Sequence, residues 1–231
     1  SRRRRACVTD GGPVAVVVGG GGPPDATRLD LGDLGDDPFV VAADEGLVHA
    51  IALRLPVGAV VGDMDSVDPA ALAAAEAAGT PIARHPAAKD ETDLELALDL
   101  ALAAAPSRLV VVTGTGDRVD HALGVALSVS APGRPPIPTE AWIGPAHLWV
   151  AREGAEVRLP GRPGDLVSLL PLHGPARGVT THGLRYPLAG EDLAAGSSRG
   201  VSNQWVADAA TVRLRAGTLV AVAPGLPGPA A

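Results

Sequence analysis

Short apolar runs that stop at acidic or glycine-rich turns, each followed by a helix-like stretch, constrain the first half of this chain more than any other feature. The run at 14–18 enters Gly19-Gly20-Gly21-Gly22-Pro23-Pro24, the run at 39–43 enters Asp44-Glu45-Gly46, and the run at 59–61 enters Gly62-Asp63-Met64-Asp65-Ser66. Unbroken apolar runs of this length, bounded by turn residues, are the pattern of strands buried on both faces. Strands that alternate with helices predict an α/β fold, a mostly parallel sheet flanked by helices.

The helix signals are local. A helix is expected from Gly46 to about Leu55. Asp68-Pro69 supplies an N-cap and a favoured first helical residue, with Gly79 as the stop. After a short strand at 82–85, Thr92 starts a helix whose Leu94, Ala97, Leu98, Ala101 and Leu102 share one face. A further strand is expected at 109–113 and a helix at 120–130.

From Ala131 the pattern changes. Ala131-Pro132-Gly133-Arg134-Pro135-Pro136 breaks the helix, and short runs at 141–143, 148–150, 166–170 and 219–222 follow, punctuated by glycine and proline. This predicts antiparallel β structure and two domains, 1–137 and 138–231.

Composition narrows the function classes. With 46% apolar residues the chain can bury a core, but only 2% are aromatic, so Ala, Val and Leu must fill it. Stacking platforms for single-stranded nucleic acid are therefore not expected. A formal charge of −7 repels phosphate backbones, and the one basic block, Arg2 with Arg3, Arg4 and Arg5, sits at the start. A lone Cys7 excludes an internal disulfide framework. No apolar run approaches the roughly 20 residues of a membrane span, and no signal-peptide core follows the arginines, so the expected setting is cytoplasmic, with neither nucleic acid nor membrane as partner.

In an open α/β sheet, ligands bind beyond the carboxyl ends of the strands, which is where the acids lie. Asp63 and Asp65 are two apart, so in an extended chain they point the same way and can share one hard cation. Carboxylates without histidine or cysteine favour Mg²⁺ over zinc. The same segment also reads as a polar turn capping the next helix, and Asp68 is assigned to capping. Lys89-Asp90-Glu91-Thr92-Asp93 combines one cation with three acids. Thr92 and Glu95 form a capping box and Asp93 complements the helix dipole, which leaves Lys89 and Asp90 without a structural reason. Gly114-Thr115-Gly116-Asp117-Arg118-Val119-Asp120-His121 follows a strand. Its glycines suit either backbone approach to a phosphate or a tight turn. Arg118 could pair with phosphate, Asp120 could cap a helix or bind a nucleotide, and His121 alone reads as structural. A Walker motif is absent, and the glycines at 19–22 lack the dinucleotide-binding context.

Together these segments resemble thiamine pyrophosphokinase. Ala43-Asp44-Glu45-Gly46, Gly62-Asp63-Met64-Asp65-Ser66, Lys89 to Asp93 and the loop from Gly114 to His121 match, in order, that family's A-D-G-G, G-D-x-D-S, K-D-x-T-D and G-x-x-G-G-R-x-D-H elements. Gly183-Leu184-Arg185-Tyr186-Pro187-Leu188 and Gly200-Val201-Ser202-Asn203 match G-L-x-Y-x-L and G-x-S-N. The resemblance implies an α/β catalytic domain followed by a smaller antiparallel β-sandwich domain that binds thiamine. It also implies a homodimer with active sites between chains, and Mg²⁺-dependent transfer of a diphosphate from ATP to the thiamine hydroxyl, releasing AMP.

By the same resemblance, Asp44, Asp63, Asp65 and Asp93 are the catalytic residues, with Asp63, Asp65 and Asp93 on the metal. Lys89, Asp90, Thr92, Arg118, Asp120 and His121 would contact ATP, and Ser202 and Asn203 thiamine. Tyr186 and Trp205 are candidates for an aromatic wall or for simple packing. Three positions depart from the family pattern: Glu45 and Asp117 replace glycines, and Val125 replaces asparagine. They leave open another heterocyclic alcohol as acceptor, such as a hydroxymethylpterin, or a homologue that binds without turnover. Asp63-Met64-Asp65 after a strand also mimics the nucleophile and acid of haloacid-dehalogenase phosphatases.

Overall fold

The structure, a computed structural model, describes residues 11–29, 31–116 and 118–225. The arginine block Arg2, Arg3, Arg4 and Arg5, Cys7 and Asp117 lie outside the described residues. The first half forms strands β1 (Gly12–Val18), β2 (Phe39–Ala43), β3 (Val57–Gly62), β4 (Ile82–Arg84) and β5 (Pro106–Thr113). Helices α1 (Gly46–Ala52), α2 (Pro69–Ala77), α3 (Asp93–Ala103) and α4 (Val119–Ser130) complete it. All five strands run parallel, in the order β5-β1-β2-β3-β4.

Strand alternation explains why β1 carries no polar side. Val16 and Val18 pack with Ala50 and Leu53 around α1, while Ala15 and Val17 pack with Ala97, Leu98 and Ala101 of α3 on the other face. The helix starts follow the expected caps. Asp68 Oδ1 accepts from Ala71 N at 2.8 Å, and Thr92 and Glu95 form a reciprocal capping box.

Nine strands follow: β6 (Thr139–Ile143), β7 (Ala146–Arg152), β8 (Glu156–Pro160), β9 (Leu166–Leu170), β10 (Ala176–His182), β11 (Ala189–Leu193), β12 (Asn203–Gln204), β13 (Ala209–Arg213) and β14 (Thr218–Ala223). Strand β6 pairs in parallel with β5, so the hydrogen-bond ladder runs through the expected domain boundary. The result is one ten-stranded sheet, β12-β9-β14-β7-β6-β5-β1-β2-β3-β4, and a separate antiparallel sheet, β11-β10-β13-β8. The proline-rich break at 131–136 therefore ends α4 and leads into one more parallel strand, and pairing turns antiparallel only at the β6–β7 hairpin. Along β7, Trp149 and Ala151 face the smaller sheet, packing with Leu159, Val179 and Val212, and Leu148 and Val150 face the α4 side. The β-sandwich is thus built from the extension of the first sheet and the four-stranded sheet.

Two charged contacts hold the halves together. The buried Arg152 guanidinium donates to Val129 O and Ala131 O, both at 3.2 Å, and places its charge at the negative end of α4. Arg108 on β5 donates to Asp33 Oδ2 at 2.8 Å and, through Nε, to Glu140 Oε1 at 2.9 Å. The other Glu140 oxygen accepts from His147 Nε2 at 2.6 Å, and the imidazole stacks on Trp142 and lies tilted against Trp149, with ring centroids 3.7 Å from each.

Burial holds the His147 pKa below its ordinary value, and the nearby Arg108 charge acts the same way, although Glu140 opposes both. Glu140 is also held low: burial pushes it up, but the hydrogen bonds from His147 and Arg108 outweigh that. With His147 depressed, the unfolded chain takes up a proton first as pH falls below about 6.5, so this contribution is present above that value and lost below it. Urea unfolding at about pH 7.5 and about pH 5.5 should show lower stability at the acidic value. His147→Gln should flatten that difference while leaving the fold intact by circular dichroism.

Candidate active site

Because β1 leads to β2 on one side while β5 lies on the other, their carboxyl ends diverge at a topological switch point, where open α/β sheets form a ligand crevice. A cleft of ≈ 520 Å³ opens there, with Gly19, Gly20 and Gly21 on one wall and Gly114, His121 and Val125 on another. Its floor carries Asp44, Asp63, Lys89 and Asp93.

Each carboxylate arrives from a different element. Asp44 follows β2 in the left-handed region, φ 48, with its N–H donating to Val61 O at 2.9 Å; a non-glycine residue held this way is strained, and such strain collects at functional sites. Asp63 follows β3, and Asp93 is the first residue of α3. One oxygen from each of Asp44, Asp63 and Asp93 falls within 4.8 Å of the others. Oxygens shared by one Mg²⁺-sized ion, with bonds of about 2.1 Å, lie about 3 to 4 Å apart, so the triad suits a hard divalent cation.

The electrostatics agree with that use. Burial raises the Asp44 pKa, and the Asp93 and Asp63 charges raise it further, against a Glu45 N–H and the Ser66 hydroxyl that lower it. Asp44 Oδ1 is buried with no hydrogen-bond partner. The Lys89 ammonium lies 3.0 Å from Asp93 Oδ1 and 3.9 Å from Asp63 Oδ2, the one cation paired to the triad among the described residues. One positive charge cannot balance three carboxylates, and an orphaned buried oxygen is a natural ligand atom.

Asp65 is not part of the triad. The chain does not stay extended, because Met64 takes φ 67 and the Asp65 N–H donates to Asp63 Oδ1 at 3.2 Å. Asp65 is exposed and accepts from Ser66 Oγ at 2.8 Å, while Asp44 converges with Asp63 and Asp93. The side-by-side aspartates that a dehalogenase-type phosphatase needs are not assembled.

The other expected contacts divide. Thr92 lines the cleft, but its hydroxyl serves the capping box. Asp90 is exposed and lies outside the lining. Arg118 and Asp120 pair with each other at 2.5 Å, and the guanidinium hydrogen bond holds the Asp120 pKa down at about 2. Asp120 and His121 line the cleft and Arg118 does not. Val125 is buried in the core beneath it. Thr113, a lining residue with a buried unpartnered hydroxyl oxygen, carried no motif, although its place at the end of β5 was readable.

Asn203 and Ser202 lie at the other end of the sheet. The Asn203 amide accepts from Tyr186 N at 3.0 Å and donates to Tyr186 O at 2.8 Å, so it fixes the Tyr186 segment. Tyr186 is exposed, whereas Trp205 is buried with its indole N–H donating to Leu159 O. Ser202 takes φ 58, and its N–H donates to Ser168 Oγ.

Two sequence models cover most of the chain. One, for the thiamin pyrophosphokinase catalytic domain, matches residues 34–132; the other, for the thiamin pyrophosphokinase vitamin B1 binding domain, matches residues 155–219. The chain belongs to the thiamine pyrophosphokinase family. It is 28% identical over 183 residues to the thiamine pyrophosphokinase of Bacillus subtilis (strain 168), covering 79% of this chain and 85% of that protein. The solved Bacillus subtilis enzyme superposes with a TM-score of 0.74 at 23% identity, covering 90% of this chain and 98% of that one. The yeast enzyme superposes with a TM-score of 0.67 at 12% identity, covering 94% and 87%. Members as distant as these share the fold of a mostly parallel sheet with helices and a smaller antiparallel sheet.

Relieving the crowded charge should stabilise the protein in the absence of metal. Asp44→Asn is expected to raise stability in EDTA and to abolish most of any stabilisation seen on adding Mg²⁺ to the unmodified chain. Thermal unfolding with and without Mg²⁺ measures both.

Proposed function

We propose that this chain is a Mg²⁺-dependent thiamine pyrophosphokinase that transfers the terminal diphosphate of ATP to the hydroxyl of thiamine. The observation that carries the reading is the convergence of Asp44, Asp63 and Asp93 with Lys89 at the switch point of a fold shared with named thiamine pyrophosphokinases. The thiamine hydroxyl oxygen bonds to the β-phosphorus, the bond from that phosphorus to the α,β-bridging oxygen breaks, AMP leaves, and the hydroxyl proton is released. A cation held by the triad supplies charge neutralisation for the triphosphate. Lys89 adds a fixed positive charge beside it, and Asp120 and His121 lie within reach of the nucleotide on the opposite wall. A cytoplasmic setting and a division of labour between 1–137 and 138–231 belong to the same reading.

Thiamine recognition by Tyr186, Ser202 and Asn203 requires a second copy of the chain. Strand β12, which carries Asn203, is seven strand steps from β2, which leads into Asp44. At about 4.8 Å per step that is roughly 34 Å, far beyond the length of thiamine. A homodimer that sets the Tyr186 end of one protomer over the carboxylates of the other closes the gap twice. Exposed apolar side chains support it on both sides: Val119, Leu123 and Leu127 form an i, i+4, i+8 stripe on α4 beside the cleft, and Tyr186, Val201 and Val206 flank Asn203.

Incubation with thiamine and MgATP should give equimolar thiamine diphosphate and AMP; production of inorganic phosphate instead, or consumption of another alcohol in preference to thiamine, overturns the reading. Asp63→Asn and Tyr186→Ala should each lose at least about 100-fold in activity. Mixed and reassociated, they should regain up to about a quarter of normal turnover, since random assortment gives mixed dimers with one intact site. Leu123→Glu should shift the protein toward monomer in analytical ultracentrifugation.

A further inference from the structure

The glycine run after β1 forms one wall of the cleft, yet nothing in its sequence holds it in place. The Gly19 N–H donates to Val112 O of β5 at 2.9 Å, and further anchors come from α1 and its N-cap residue, Glu45. His49 Nδ1 donates to Gly19 O at 3.1 Å from a buried position. Glu45 Oε2 accepts from Gly21 N at 3.3 Å. Between them, Gly46 approaches the end of β1 so closely that a β-carbon there would lie 2.0 Å from Val18 O. On the far side a β-carbon on Gly114 would lie 2.2 Å from Gly22 O, so the two glycine loops meet backbone to backbone.

The Glu45 carboxylate thus satisfies a backbone donor of the loop, in the cleft that Asp44, Asp63 and Asp93 also line. Its backbone lies in the right-handed helical region, φ −49 and ψ −24, so the backbone conformation does not call for glycine there.

We infer that Glu45 is a positioning residue for nucleotide binding: by accepting the Gly21 N–H it sets the glycine wall against which the triphosphate lies. The inference rests on the nucleotide reading of the cleft. Glutamine keeps an acceptor oxygen and loses the charge, whereas alanine loses both, so the pair separates a hydrogen-bonding role from a charge effect.

The experiment is calorimetric titration of the full-length protein with α,β-methylene-ATP and Mg²⁺, together with steady-state kinetics and amide hydrogen exchange of the segment containing Gly20, Gly21 and Gly22. Glu45→Ala should weaken analogue binding and raise the KM for MgATP by about 5- to 10-fold, with kcat changed less than about 2-fold. Glu45→Gln should stay within about 2-fold of the unmodified protein in both, and exchange in the loop should quicken in Glu45→Ala alone. Tighter binding in both variants would make Glu45 a competing anion and overturn the inference, as would unchanged binding in Glu45→Ala. If the unmodified protein binds no analogue while Glu45→Ala still loosens the loop, the nucleotide reading fails and with it the positioning role in binding.

Discussion

The parallel pairing of β6 with β5 is the constraint on which the rest of the molecule depends. It joins a helix-flanked parallel sheet to an antiparallel sandwich without interrupting the ladder, so two halves of different character share one hydrogen-bonded surface. Arg152 on the C-terminus of α4, and the chain from Asp33 through Arg108 and Glu140 to His147, brace the same junction with charge. A continuous sheet also fixes distances. It holds Asn203 and Tyr186 at one end and the carboxylates near the other, which makes the separation of the two sets a property of the fold.

The carboxylate triad is a destabilising arrangement that the fold maintains. Burial, and then repulsion from Asp93 and Asp63, raise the Asp44 pKa, which is the signature of that cost. Lys89 offsets part of it. The strained backbone at Asp44 and Met64, both at positive φ, lies in the same two turns and adds to the local cost. Groups arranged this way gain most when a cation and a polyphosphate arrive together, since each supplies the charge the other lacks.

Local signals were legible wherever chemistry acts over a few residues. The Asp68 cap, the Thr92–Glu95 box, the doubly buried runs and the proline break at 131–136 could all be read before any fold was known, because caps, strand burial and proline geometry depend on immediate neighbours. The pairing of Asp63 with Asp65 could not. Period-two reasoning assumes an extended chain, and one left-handed residue, Met64, reverses it. Asp44 replaces Asp65 in the cluster because β2 and β3 are adjacent and parallel, a relation between strands separated by a whole helix.

By itself, then, the sequence determined the alternation of strands and helices, the helix starts, the change of character after residue 131 and the presence of acids at strand ends, since each follows from side-chain period and local backbone preference. Only the tertiary structure decided which acids converge, that Asn203 supports Tyr186, that Glu45 grips the glycine loop, and that the sheet is continuous. Those facts depend on strand order and on contacts between residues far apart in the chain, and period and propensity carry no information about either.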